Sequence, residues 1–157
     1  MPEKRVQRPK SRPSAPLLPT KDVRAFIRKN AAVIAPADVE TIVARADEIL
    51  ERSADERSPH PLLGRQARFA LHLLDDHIQG RSPQIPYFTI SLLAVALFYF
   101  LDKSDAIPDW LGAVGTSDDA LVIELAFEMG AAGIQRYCDW KGLAASEVLP
   151  AQIRRRR

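Results

Sequence analysis

Apolar residues recur at intervals of three and four through most of this chain, the repeat of a helix that buries one face. The first such stretch covers about residues 21–34, where Val23, Phe26, Ile27 and Ile34 form a stripe and Thr20 stands as the N-cap. A second, about 36–53, opens on Pro36, which suits a first helical position, and repeats Val39, Ile42, Val43, Ala46, Ile49 and Leu50. A third, about 62–79, sets Leu63, Ala67, Ala70, Leu74 and Ile78 against a face of Arg65, Arg68, His72, Asp75, Asp76 and Gln79. That face reads as solvated. His72 and Asp76 stand one turn apart, but the run HLLDDH matches no zinc-binding spacing. Gly80 closes the helix, and Pro83 and Pro86 separate it from the next.

The fourth stretch has no polar face. Residues 82–101 carry no charge over twenty positions, the length that raises a transmembrane question. With two prolines at its start the helix itself covers about 87–101, or ~22 Å, short of a ~30 Å hydrocarbon core. The fifth stretch, about 120–135, contains Glu124 and Glu128, both awkward at membrane depth. A bundle core is therefore the leading reading. The alternative is an integral hairpin with both basic ends on the cytoplasmic side. Gly130 and Gly133 in the fifth stretch either allow a close helix contact or weaken the helix, and Gly142 is placed to cap its end. The fold expected is all-α: a single domain over residues 20–150, a small bundle of about five helices, with the fourth and fifth as an antiparallel apolar pair.

Composition narrows this further. Seven glycines among 157 residues favour helices, and the single cysteine, Cys138, excludes an internal disulfide and fits a buried helical position in a reducing compartment. The net charge of +2 hides an uneven distribution. Residues 1–30 sum to +7, 31–60 to −4, 61–100 to +1, 101–150 to −6 and 151–157 to +4. Residues 1–19 hold five prolines among basic side chains and read as a disordered arm, with 151–157 a basic tail. Such arms attract phosphate, yet without interleaved aromatics they read first as solubilising, and nucleic acid is not the expected partner. No apolar leader opens the chain, so a cytoplasmic location is expected, peripheral on the inner membrane face if it meets a bilayer.

Between the two apolar helices lies LDKSDAIPDWLGAVGTSDDA, with Asp102, Asp105, Asp109, Asp118 and Asp119 in eighteen residues. Asp118 and Asp119 stand at a helix N-terminus, where negative charge contributes ~0.3–1 kcal/mol each, and Thr116 with Asp119 has capping-box spacing. Asp105 and Asp109 flank Ile107-Pro108 and can fix the reversal by accepting backbone N–H bonds. Asp102 and Asp105 follow a helix C-terminus, where their charge is disfavoured. In an antiparallel pair up to five carboxylates meet, which would raise one another's pKa or recruit a hard cation such as Mg²⁺ or Ca²⁺. A structural clasp is the leading reading and an ion site through Asp105, Asp109, Asp118 and Asp119 the alternative. No other cofactor is expected.

The spacing of Asp105, Pro108, Asp109, Gly115, Asp118 and Asp119 resembles the signature of the YkvA family, a bacterial domain of unknown function, over about residues 92–132. Asp102-Lys103-Ser104 and Thr116-Ser117 depart from the family pattern and make the turn more polar. The resemblance implies a helical region and a signature, and no reaction. With no convincing catalytic set, the function expected is an uncharacterised interaction or scaffold module that binds a protein partner or an anionic membrane surface. The alternative is a divalent-metal-binding protein or metal-dependent enzyme using the acidic cluster.

Overall fold

The apolar repeat is realised as helix throughout the residues described by this computed structural model, 20–54, 61–101 and 119–149, and these contain no strand. Among the described residues seven α-helices follow one another: α1 Thr20–Ala31, α2 Pro36–Ala44, α3 Ala46–Ser53, α4 Pro61–Ile78, α5 Tyr87–Phe100, α6 Asp119–Met129 and α7 Ala131–Lys141. A 3-10 turn, Ala145–Glu147, comes after them.

The all-α class is as expected; the helix count is not. Two of the five predicted stretches are each split in two. Residues 36–53 break at Arg45, whose N–H bonds back to Ile42 O in a tightened turn before α3 begins. The buried stripe Val39, Ile42, Ile49 and Ser53 passes through the break, so the periodicity gives no sign of it. The fifth stretch breaks at Gly130, from which α7 runs on to Lys141. Pro36 does open α2, where Asp38 accepts the Ala35 N–H at 2.8 Å. Thr20 is already helical rather than a residue ahead of the helix, and Ile34 is buried beyond the end of α1.

α5 is the centre of the bundle. Every residue from Thr89 to Tyr99 is buried, as an apolar surface on all sides requires, and α1, α2, α4 and α6 pack around it. Its 14 residues span ~21 Å. Among the described residues no helix is long and apolar enough to cross a membrane. The membrane-hairpin reading of this segment gives way to that of a core helix, whose apolar surface is covered by its neighbours.

α5 and α6 form the most extensive helix pair. A Cβ on Gly130, where α6 ends, would come within 3.3 Å of Leu92 and 3.6 Å of Thr89, in the first half of α5, so the pair runs antiparallel. A Cβ on Gly133 would lie 2.2 Å from Thr89 Oγ1. The two glycines therefore serve close approach, which resolves the alternatives open in the sequence. Gly80 and Gly142 end α4 and α7 with φ of 74° and 79°, the left-handed conformation in which a side chain is strained. Arg24 pairs with Glu128 at 3.0 Å and ties α1 to α6.

Candidate functional site

The acidic stretch lies outside the described residues. Asp102, Asp105, Pro108, Asp109, Gly115 and Asp118 all fall there, as do Thr116 and the basic arms. Asp119 is the first residue of α6. Among the described residues, no three His, Cys, Asp or Glu side chains are grouped to hold a metal ion.

Polar chemistry collects instead where α4 meets α7. Gln66, Phe69, Leu73 and Asp76 follow one another on α4 at spacings of three, four and three, and all are buried. Asp76 thus continues a core stripe, which corrects its assignment to a solvated face. At 3 % exposure it can remain ionised only if its oxygens are well supplied with donors. They are. Tyr137 donates its hydroxyl to Oδ2 at 2.5 Å, and Lys141 Nζ reaches the same oxygen at 2.8 Å. Arg81 donates Nε–H to Oδ1 at 2.9 Å and reaches Asp75 Oδ2 at 3.2 Å. Tyr137 and Lys141 are one turn apart on α7, so a single helical face grips the carboxylate.

Burial would raise the Asp76 pKa, but the bonds from Lys141, Tyr137 and Arg81 outweigh it and hold the carboxyl at about 2. The same junction pushes the Tyr137 hydroxyl well above the ordinary phenol range, through burial first and its bond to Asp76 second. Burial, with the nearby Asp139 charge, lifts the Cys138 thiol to about 11. These shifts favour a charged carboxylate, a neutral phenol and a neutral thiol at neutral pH.

Beside this junction a cleft of about 480 Å³ opens between α4, the end of α7 and residues 143–148. Phe69, Tyr137, Leu143 and Val148 give it an apolar lining, and Arg65, Arg68, His72 and Lys141 surround that lining with donors. The returning segment is anchored by Gln66 Nε2, which donates to Val148 O at 2.7 Å, and more weakly by Arg65 to Glu147 O at 3.4 Å. Arg68 donates to Ser53 O at 3.1 Å and so also braces α3. The predicted polar face of the third stretch therefore divides. Arg65, His72 and Gln79 are exposed, Arg68 and Asp75 are half-buried, and Asp76 is inside.

The sequence held one signal for this junction, the 3-4-3 spacing that places Asp76 in line with Phe69 and Leu73. Tyr137 and Lys141 carried none, because their partner is 61 and 65 residues away.

The sequence model of one family, a protein of unknown function (DUF1232), matches residues 89–125. The match takes in all but the first two residues of α5 and the first seven residues of α6, about a quarter of the chain. It overlaps the 92–132 stretch that resembles the YkvA family. No curated protein and no solved structure matches the chain.

Proposed function

We propose that this chain is a YkvA-type helical interaction module, a non-catalytic scaffold that meets its partner at a membrane surface. The observation that carries the reading is where the bundle leaves large apolar side chains in the open. Besides Val33 and Leu50, these are Tyr87 and Phe88 at the start of α5 and Trp140 and Leu143 around the end of α7, the last four 41–48 % exposed. Both pairs flank the C-terminal end of α4. The Tyr87 ring lies 6.3 Å from that of His77, and Lys141, next to Trp140, bonds Asp76. Aromatic side chains with basic neighbours suit a headgroup layer, where a ring is half in water and a cation meets anionic lipid. Lys141, whose Nζ lies 5.6 Å from the centre of the Trp140 ring, is such a neighbour. The favoured protonation states of Asp76, Tyr137 and Cys138 support the non-catalytic part.

Vesicle flotation tests the reading. The protein should float with bilayers containing phosphatidylglycerol more than with phosphatidylcholine alone, and Phe88→Ser with Trp140→Ser should reduce the bound fraction at unchanged thermal stability. Equal, negligible flotation in both lipids would remove the membrane from the proposal.

A further inference from the structure

The cleft beside the α4–α7 junction has a use that a docking surface does not require. We infer that it is a binding site for a phosphomonoester carried on an apolar or aromatic body. Its volume of about 480 Å³ lies within the range of small-molecule sites, and its apolar floor matches a ligand that is more than a bare ion.

The charge around the floor selects the head of that ligand. Arg65, Arg68 and Lys141 are permanent cations, against one lining carboxylate, Glu147. Arg65 and Arg68 are three residues apart on α4 and so share a face. Their hydrogen bonds run to neutral oxygens, Glu147 O for Arg65 and Ser53 O and Oγ for Arg68. Among the described residues neither guanidinium is paired with a carboxylate. Lys141 is shared with Asp76, and with Arg81 it balances Asp75 and Asp76, so the surplus positive charge of the cleft is that of Arg65 and Arg68.

Two guanidinium forks with an ammonium nearby match the three terminal oxygens and double charge of a monoester. A carboxylate offers two oxygens and one charge, and a phosphodiester likewise, so each leaves one of the two forks unanswered. The ring or chain of the ligand lies on Leu143 and the accessible edge of Phe69, beside the arginine pair. His72, at the same rim, adds a further donor.

Isothermal titration of the full chain with phenyl phosphate at fixed salt tests the site, with benzoate as the single-charge comparator. Phenyl phosphate should bind, benzoate should bind about tenfold more weakly, and Arg65→Gln should weaken phenyl phosphate by about tenfold or more. Arg65 is exposed and bonded only weakly, so this variant should keep its circular dichroism spectrum and melting temperature. Arg65→Gln with Arg68→Gln should abolish binding; if loss of the Arg68 brace unfolds that protein, the single variant decides. No heat from phenyl phosphate, equal affinity for benzoate, or unchanged affinity in Arg65→Gln would overturn the inference. A second arm separates the sources of a monoester. Vesicles of phosphatidic acid should be preferred over phosphatidylglycerol at equal charge, in an Arg65-dependent way, if the ligand is a lipid headgroup. Soluble binding without that preference assigns a free monoester. Because the soluble arm uses no membrane, its outcome is independent of vesicle flotation.

Discussion

α5 and α6 are joined by a long run of packed apolar side chains, whereas α4 and α7 meet through the Phe69–Tyr137 ring contact and the bonds of Tyr137 and Lys141 to Asp76. The first contact is spread over a whole helix, so its stabilisation is distributed and no single residue is indispensable. The second is concentrated on one α4 carboxylate with two donors from α7, Arg81 just past α4 supplying a third, and its strength depends on the two that cross. Packing tolerates small losses in proportion to volume; a buried ion does not, because removing it strands its partners.

The comparison can be broken at its strongest point. Asp76→Ala should cost about 3 kcal/mol, since it leaves the buried Tyr137 hydroxyl and the Lys141 ammonium without their acceptor while Arg81 keeps Asp75, and urea unfolding would measure it. Leu93→Ala, fully buried in α5, should cost about 2–5 kcal/mol and leave a cavity without disturbing α7. Were Asp76→Ala to prove nearly neutral, the junction would not hold the fold. A third test concerns close approach. Gly133→Ala should destabilise by about 1–3 kcal/mol through the clash with Thr89, and Thr89→Ala in the same chain should recover part of that loss in thermal melting.

Acid provides the mildest probe. The Asp76 carboxyl titrates at about 2 in the folded protein and near ~3.9 when unfolded, so the unfolded chain takes up the proton first. The stabilisation is complete above about pH 5 and is lost progressively as pH falls towards 2, at most about 2–3 kcal/mol. Asp76→Asn should flatten that part of the stability profile, as seen by denaturation at pH 5, 4, 3 and 2. An unchanged acid slope would mean that other carboxylates cause it.

What could be read in advance divides along the same line. α5 was legible because an uncharged run has one stable solution in water, burial on every side, and the α4 stripe because Ala67, Ala70 and Leu74 repeat at helical spacing. The breaks at Arg45 and Gly130 were not, because the apolar stripe crosses Arg45 intact and a glycine inside a helical pattern has more than one use. Gly142 behaved as its position suggested, with a left-handed φ at the end of α7. The candidate site was missed for a different reason. A charge on a helix reads as solvated unless something across the fold neutralises it, and Tyr137 and Lys141 lie too far along the chain for local spacing to reveal them. The acidic stretch that dominated the sequence reading lies outside the described residues.

The position of the cleft also bears on how this chain should be compared with others. Every residue lining it lies at 65–72 or 137–148, and none within the matched segment 89–125. A protein alike only over that segment has the buried helix in common and need not have the pocket. Ligand knowledge should therefore be transferred between such proteins on the arginine pair of α4 and the tyrosine–lysine pair of α7, and not on the shared core.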